Sequence, residues 1–399
     1  MNWPEFSLRD VCHRPTYGYT AKADYEADGP KFLRITDIVP DLIDWDQVPH
    51  CVITPANLEK YKLQHGDIVV ARTGATCGYA KAVRNPPTGV FASYLVRFRV
   101  QDGFDPSFVG HIVQSKQYKE FVKQNAGGAA QPNANARILG AFRFLLPPLP
   151  IQQRIASILS AYDDLIENNT RRIAILEEMA RRLYEEWFVR LRLPAATRVD
   201  STDSLPDGWS IRSLGHVAEN FDRYRKPLSK KQRAERPGSF PYYGAAKIFD
   251  YVDDYIFDGR YLLLAEDGSV VTEEGFPVIQ MTRGKFWANN HTHILKGCPP
   301  ISTEYLFLAL SRYNIRGHIT GAAQPKITQE NLNRIPIICA NYEFHERFDE
   351  IIKPYFDMIQ NLYWQTENMR RQRDLLMPKL VSGELNVSDA EKLVAEAAA

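Results

Sequence analysis

The chain has 399 residues, of which 44% are hydrophobic and 24% charged, a composition that excludes a disordered chain and suggests two or three globular domains. No apolar run approaches the roughly 20 residues that cross a bilayer, and the start MNWPEFSLRDV lacks the pattern of a secretory signal. Five scattered cysteines, none in a CxxC pair, suit reduced thiols in the cytoplasm. The net charge of +1 predicts no partner, although the first 150 residues carry 17 basic against 14 acidic side chains.

An internal repeat divides the chain. The pentapeptide GAAQP occurs at 128–132 and again at 321–325, an offset of 193 residues that continues far beyond it. Near the front of each half the offset is 206, where W-x3-S-L at Trp3 matches W-x3-S-L at Trp209. The period is too long for a solenoid, so the repeat indicates one scaffold used twice on two different targets.

Each repeat begins with a predicted globular domain. Residues 1–150 combine the β-like runs GDIVVA, YLVRFRV and FRFLLP with one helix near 106–124. Residues 209–342 do the same with GRYLLLAEDG, THILKG and IPIICA and a helix near 303–315. We expect two compact α+β domains, in which Gly128 and Gly321 permit tight bends late in each domain.

A long helix is predicted over residues 151–192, after the proline-rich LPPLP. Its apolar positions recur at spacings of three and four, which is typical of a coiled coil, with one extra four-residue step before Ile173. These positions are Ile155, Ile158, Tyr162, Leu165, Asn169, Ile173, Leu176, Ala180, Leu183 and Trp187.

A second long helix is predicted over 343–382, after a polar linker at 193–208 and the second domain, with a C-terminal tail at 383–399. Pro354 should start or kink this helix, and Pro378 should end it. We expect an antiparallel coiled coil that holds the two domains apart as a dumbbell; the alternative is that each helix caps its own domain. The corresponding positions are Phe348, Ile351, Tyr355, Met358, Leu362, Met369 and Leu376.

The layout resembles a known family. The segments GAAQPN, LLPPLPIQQRIASILSAYDDLIENN and EEWFV in the first half, and PYYGA, YLLLAEDG and PKLVSGEL in the second, resemble the DNA specificity subunit of type I restriction–modification systems. The second helix departs from the pattern, because its start, CANYEFHERF, lacks the prolines and the glutamine pair.

The resemblance implies two target-recognition domains, each reading half of a bipartite double-stranded DNA target, and a helical pair that sets their spacing. It also implies two methyltransferase subunits docked on the helices and a motor-nuclease restriction subunit. The chain itself would be non-catalytic and hold no cofactor, with S-adenosylmethionine, ATP and Mg on the partner subunits.

No catalytic signature contradicts this reading. The segment NPPT (85–88) lacks the aromatic residue with which adenine methyltransferases stack on a flipped base, and it is more simply a turn between strands. No GxxxxGK[ST] loop occurs, and His291 and His293 have no cysteine or acidic residue at metal-ligand spacing. A single-chain methyltransferase or nuclease, and a scaffold that does not bind DNA, remain the alternatives.

Candidate DNA contacts lie in both domains. In the second, RYRKPLSKKQRAER (223–236) is a basic run that is either a solvated loop or a DNA-facing one, and Glu266 could accept from cytosine or cap a turn. In the first, ARTGATCGYAKAVR (71–84) is either a tight turn or a contact segment. The candidates are Arg72, Thr73, Thr76, Lys81, Asn133, Arg223, Arg225, Lys226, Lys230, Lys231, Arg233, Tyr242, Tyr243, Glu266 and Lys326.

The outward face of the first helix is a candidate partner surface, although an exposed charged face is also explained by solvation alone. Its candidates are Gln152, Gln153, Arg154, Asp163, Asp164 and Glu167.

Overall fold

The computed structural model describes residues 3–128, 132–192, 205–321 and 324–398. The chain divides into two compact units, one formed by residues 1–169 with 365–399 and the other by residues 170–364. We call the globular part of the first unit, residues 3–146, the first head, and that of the second, residues 209–340, the second head. Among the described residues, no helix has both the length and the apolarity to cross a membrane.

The first head is an α+β domain built on a four-stranded antiparallel sheet in the order β2-β7-β4-β5. A parallel pair, β3 and β6, and an antiparallel pair, β1 and β8, complete it. The elements are β1 (Glu5–Ser7), α1 (Leu8–Val11), β2 (Thr16–Tyr17), β3 (Lys31–Leu33), α2 (Ile35–Ile38), α3 (Pro55–Tyr61), β4 (Ile68–Ala71), β5 (Ala80–Ala82), β6 (Gly89–Phe91), β7 (Leu95–Phe98), α4 (Pro106–Gln114), α5 (Lys116–Asn125), α6 (Ala136–Leu139) and β8 (Arg143–Leu145).

The central strand β4 is buried on both faces, which explains its uninterrupted apolar run. Ile68 and Val70 join the core beneath α4 and α5, whereas Val69 and Ala71 join a second cluster with Leu33. The single helix predicted near 106–124 is in fact two helices. Ser115 is extended, with ψ 159°, and its hydroxyl accepts from the Tyr118 backbone N–H, so it caps the second helix and interrupts the first.

The first long helix, α7 (Leu149–Tyr184), is followed by a π-helical turn, Glu185–Val189. The second head then contains β9 (Ser210–Ser213), α8 (Leu214–Val217), β10 (Ala218–Asn220), α9 (Lys230–Ala234), β11 (Pro237–Tyr243), β12 (Ile248–Val252), β13 (Phe257–Asp258), β14 (Leu262–Ala265), β15 (Ile279–Met281), β16 (Lys285–Ala288), β17 (Thr292–Gly297), α10 (Thr303–Ser311), α11 (Gln329–Asn333) and β18 (Pro336–Cys339). The second long helix, α12 (Tyr342–Ser382), and a C-terminal helix, α13 (Val387–Ala398), follow.

The two heads share one topology. The sheet β10-β17-β14-β15 of the second head has the same strand order as β2-β7-β4-β5 of the first. The parallel pair β11 and β16 corresponds to β3 and β6, and the pair β9 and β18 to β1 and β8. The second head adds β12 and β13 at the edges of its parallel pair. The predicted strands and the duplicated scaffold are therefore confirmed.

The long helices run antiparallel to each other. In the first unit Asp163 of α7 lies 2.6 Å from Arg373 near the end of α12, and in the second unit Trp187 packs against Phe344 at the start of α12. The predicted seam is correct at Ile155, Ile158 and Tyr162, which are buried. Leu176, Leu183, Met369 and Leu376 are partly buried, as are Ile351 and Tyr355, whereas Phe348 and Leu362 are buried.

Two seam predictions are wrong. Leu165 is 41% exposed and Met358 45% exposed, whereas Ile166 and Ile359, one residue later, are buried. The sequence predicts the extra four-residue step between Asn169 and Ile173, whereas in the structure it lies between Tyr162 and Ile166. A helix that packs against a head buries a broader face than a helix in a two-helix seam does. The same shift therefore occurs at equivalent positions of both repeats.

Neither proline marks an end of the second helix. Helix α12 begins at Tyr342, and Pro354 lies inside it with its ring exposed. Pro378 does not end the helix, which continues to Ser382. It ends at Gly383, where φ is +73°, and the Leu385 backbone N–H donates to the Lys379 carbonyl. Glycine is favoured at this left-handed position after a helix.

Candidate nucleic-acid interface

In the first head, the loop after β4 is held in a frame of backbone hydrogen bonds. The Arg72 N–H donates to the Tyr94 carbonyl at 3.0 Å, and the Ala134 N–H donates to the Arg72 carbonyl at 2.8 Å. Gly127 and Asn133 exchange two hydrogen bonds, at 3.0 and 2.8 Å, and thereby close the loop that contains the repeated pentapeptide. A single backbone network thus brings three separate segments together.

The second head repeats this frame. The Glu266 N–H donates to the His291 carbonyl at 3.0 Å, and the Ile327 N–H donates to the Glu266 carbonyl at 3.0 Å. Thr320 and Lys326 exchange two hydrogen bonds of 2.8 Å. Gly128 and Gly321 have φ of +95° and +88°, so the bends expected there are confirmed; residues 129–131 and 322–323 lie outside the described residues.

The frame of the first head presents aromatic and polar side chains. The Arg72 guanidinium lies 5.1 Å from the centre of the Tyr17 ring, and its Nε is buried with no hydrogen-bond partner among the described residues. The Tyr17 hydroxyl accepts from the Ala136 backbone N–H at 2.9 Å, which fixes the ring. Tyr94 is 60% exposed and Asn133 is also exposed. Such a surface offers donors, acceptors and stacking faces to a nucleic acid.

Three other candidates of this segment differ in position. Thr73 pairs with Asn133 as an isolated bridge, so it belongs to the frame, and Thr76 lies in the tight turn that ends at Gly78. Lys81 is not part of the frame; its ammonium donates to the Asp41 carbonyl at 2.8 Å. Burial lowers the pKa of Lys81 to about 8, although the nearby Asp41 and Asp163 carboxylates oppose this.

The frame of the second head carries a network of charges. The Arg225 guanidinium donates to Glu266 at 2.7 Å and to the Thr292 carbonyl at 2.8 Å, and Lys326 lies 3.1 Å from Glu266. Burial would raise the pKa of Glu266, but the Arg225 hydrogen bond, with the nearby histidine and Lys326, holds it below its ordinary value. Arg225 and Glu266 therefore neutralise each other, whereas the Lys326 side chain remains exposed.

Three potential metal ligands meet beside this network. Asp222, Glu266 and His293 bring one ligand atom each within 4.8 Å of one another, although the sequence showed no acidic residue near the histidines. Both ring nitrogens of His293 are engaged, Nδ1 with Asp222 at 2.6 Å and Nε2 with the Ile327 carbonyl at 3.0 Å. With Arg225 and Lys326 already on Glu266, the arrangement is better described as an ion-pair network than as a metal site.

The basic run of the second head separates into structural and exposed cations. Arg225, Arg233 and Arg236 are structural: Arg233 donates to the Leu228 carbonyl at 2.7 Å, and Arg236 pairs with Asp253 at 2.8 Å. Lys231 faces Glu235 one helical turn later. The exposed remainder is Arg223, Lys226 and Lys230, for which the described part of the chain provides no acidic partner. These three are the cations of the run that a DNA backbone could reach.

The two tyrosines among the candidates are core residues. Tyr242 is 1% exposed, and its hydroxyl accepts from the Leu228 backbone N–H at 3.0 Å. Tyr243 is 7% exposed and packs edge to face on Phe286. Tyr242 and Tyr243 are adjacent in β11, so they project from opposite faces of the strand, and both faces are buried there. They are therefore core residues and do not line the interface.

Several residues of the candidate partner surface make internal contacts. The Gln152 side chain is buried between the Asp105 backbone N–H and the Pro147 carbonyl, and Arg154 binds Glu391 of α13 at 2.7 Å. Asp163 binds Arg373, and Asp164 binds Arg84 at 2.5 Å. Gln153 is exposed, and Glu167 is half-buried. The charged residues Arg154, Asp163 and Asp164 on the first long helix therefore bind other residues of the same unit.

Two features of the interface were missed from the sequence. Tyr17 lies in the segment TYGYT and Tyr94 begins the strand-like run YLVRFRV, and only the fold brings both residues to Arg72. Tyr94 could have been found by extending the alignment of the two halves, because it occupies the place of His291.

The comparisons with known proteins agree with this architecture. The family described as "Type I restriction modification DNA specificity domain" matches residues 1–178 and 206–361. The MjaIX specificity subunit of a type I restriction enzyme from Methanocaldococcus jannaschii is 23% identical over 351 residues, which are 80% of this chain and 78% of the relative. A putative type I specificity subunit from Haemophilus influenzae is 38% identical over 126 residues, 32% of each chain.

A solved structure shares the fold. The S subunit of the type I restriction–modification system of M. genitalium superposes with a TM-score of 0.56 at 16% identity, covering 96% of each chain. The family description covers both repeats and most of the chain, with a boundary between its two matches where the first long helix ends. The chain therefore belongs to the family of type I restriction–modification DNA specificity subunits.

Proposed function

We propose that each head reads one half of a bipartite DNA sequence through the major groove, with the surface around its backbone frame facing the bases. The observation that carries this proposal is the frame itself. The same hydrogen bonds hold equivalent loops in both heads, yet the side chains they present are Arg72 and Asn133 in one and Glu266 and Lys326 in the other. One scaffold with two different polar surfaces suits two different half-sites.

The exposed cations would bind the DNA backbone. Three exposed cations lie close in sequence to Arg225 of the charge network: Arg223, Lys226 and Lys230. Contacts of this type add affinity without sequence information and place the reading surface in the groove. The buried ion pair between Arg225 and Glu266 would instead keep the loop rigid.

The helical pair would set the distance between the two half-sites. Helices α7 and α12 have 36 and 41 residues, about 54 and 62 Å at the rise of an α-helix. Rigid linkage of two weak sites selects half-sites at one spacing and also raises affinity through effective concentration. We propose that two methyltransferase subunits dock on these helices and that a motor-nuclease subunit completes the restriction complex.

The specificity subunit acts in this scheme without catalysing a reaction. Adenine methylation and ATP-dependent cleavage would be carried by the partner subunits, which would bind S-adenosylmethionine, ATP and Mg. The chain would contribute recognition and position, so its variants should change where the complex acts before they change how fast.

Methylome sequencing tests the proposal directly. Cells that express this chain with its methyltransferase should carry methylated adenines within one bipartite motif, and cells that express the methyltransferase alone should not. Methylation without any bipartite motif would contradict the proposal. Absence of sequence preference in DNA binding by the purified complex, at any salt concentration, would favour a scaffold that does not read DNA.

A further inference from the structure

The two backbone frames define four equivalent positions, and the residue differs at every one of them. We call them the frame positions: Arg72, Thr73, Tyr94 and Asn133 in the first head, and Glu266, Asp267, His291 and Lys326 in the second. The equivalence rests on matching backbone hydrogen bonds and on matching bridges, Thr73 with Asn133 and Asp267 with Lys326. The frame is retained while its side chains have diverged completely.

Backbone hydrogen bonds make this divergence possible. Each frame contact joins an N–H to a carbonyl, so it does not depend on the side chain that the residue carries. Asn133 and Lys326 are both exposed, and their main chains are fixed by two hydrogen bonds each. Side chains at these positions can therefore change the surface without removing what holds the loop.

The chemistry of the first head suits purines. The Arg72 guanidinium lies over the Tyr17 ring, and a guanidinium bonds guanine O6 and N7 with two parallel donors. The Asn133 amide, one donor and one acceptor, matches adenine N6 and N7. Tyr94, 60% exposed, offers an apolar edge beside them.

The chemistry of the second head is different. Glu266 is shared by Arg225 and Lys326, and Lys326, although 3.1 Å from that carboxylate, keeps an exposed side chain whose remaining ammonium protons can be donated to guanine O6 or N7. Asp267 accepts from His291 Nδ1 at 2.8 Å, and its carboxylate keeps further lone pairs with which it can accept from a base. Such an acceptor matches the N4 amino group of cytosine.

We propose that the frame positions determine the base preference of each half-site: Arg72 and Asn133 select guanine and adenine in the first, and Lys326 with Asp267 selects a G·C pair in the second. This inference rests on the proposed function. It goes further by assigning base selection to two named frame positions in each head, of which the exposed pair, Asn133 and Lys326, can be exchanged.

The exchange variants N133K and K326N test the inference in the assembled complex with its methyltransferase, with binding-site selection and methylome sequencing as readouts. We expect N133K to lose its adenine preference at one base pair of one half-site, by about 5- to 150-fold, with the other half-site and the spacer unchanged. K326N should change only the other half-site. R72K should weaken guanine discrimination in the first half-site, because an ammonium lacks the bidentate fork.

The control is K123N, an exposed change of the same residue types in α5 of the first head, at a residue that is not one of the frame positions. It should leave both half-sites as they are. Unchanged motifs in N133K and K326N complexes that melt like the wild type would overturn the inference; should N133K melt lower, N133S gives the same reading with a smaller side chain. A wild-type complex without a bipartite motif would instead refute the proposed function, so the two failures are distinguishable.

Discussion

His345 makes the stability of the second unit depend on pH, because its ring is buried in the folded protein. It lies near the start of α12, is 1% exposed, and accepts the Ala340 backbone N–H at Nε2 over 3.0 Å. Its Nδ1 is buried without a partner among the described residues, Phe188 stacks on its ring, and Tyr305 packs edge to face against it. Burial lowers the pKa of His345 to about 4, with Asp349 opposing, so the ring stays neutral in the folded protein.

The effect of pH on the free energy of unfolding depends on which state binds the proton. Between pH 6.5 and about 4 the unfolded chain protonates this histidine and the folded protein does not, so the free energy of unfolding falls as the pH falls. The displacement from 6.5 to about 4 corresponds to about 3 kcal/mol, reached near pH 4 and absent above pH 6.5. H345Q keeps an acceptor for the Ala340 N–H but cannot titrate, so its stability should lack this component.

Urea denaturation followed by tryptophan fluorescence measures the effect. Trp187 and Trp209 both contact Phe344, so their emission reports on the cluster that contains His345. The stability difference between wild type and H345Q should change by about 3 kcal/mol from pH 7 to pH 4. The matched control is H216Q, because His216 is exposed in the same unit. A difference that stays constant across this pH range would refute the reasoning.

Three further predictions concern the head–helix contacts, the DNA backbone and the spacing. R260M should cost about 3–5 kcal/mol in the free energy of unfolding, because it leaves Glu304, 8% exposed, as an unpaired buried carboxylate, whereas R84M breaks only the exposed pair with Asp164 and should cost about 0–1 kcal/mol in the same urea assay. K226Q/K230Q should reduce the slope of log affinity against log salt by about 2 without changing the motif; an unchanged slope would remove these lysines from the phosphate contacts. Deleting residues 167–173 and 360–366, seven at repeat-equivalent places, should shorten the preferred spacer by about 3 base pairs in methylome sequencing, and an unchanged spacer would contradict the role of the helices.

Periodicity predicted most of the elements but not the details of their packing. The strands of both sheets appear in the sequence as short apolar runs, and the long helices as spacings of three and four, because burial selects these patterns directly. The exposure of Leu165 and Met358 was not predictable, since two adjacent apolar residues satisfy the pattern equally well and the head decides which one is buried. The start of helix α12 was not predictable from Pro354 either, because the helix continues through this proline at an exposed position.

The candidate site was predictable only in part, because exposure of a charged or aromatic residue is a tertiary property. Of the seven cations in the basic run, Arg225, Arg233 and Arg236 make buried or half-buried contacts that join segments far apart in sequence. Composition alone cannot separate them from Lys226 and Lys230. In the same way, Tyr242 and Tyr243 match a surface motif in the sequence but are buried, Tyr242 in a cluster with Trp287 and Tyr243 in a cluster with Phe286.

The repeats reveal which contacts divergence can alter. Asp164 and Asp357 occupy equivalent helix positions, and each binds an arginine of its own head, Arg84 before β6 and Arg260 before β14. The carboxylate is retained while its partner comes from a different segment, so this side-chain contact has been rebuilt rather than copied. The backbone frames, in contrast, are the same in both heads. Positions held through their main chains are therefore the ones where new side chains can alter recognition at the lowest cost in stability, which is why Asn133 and Lys326 are the first residues to exchange.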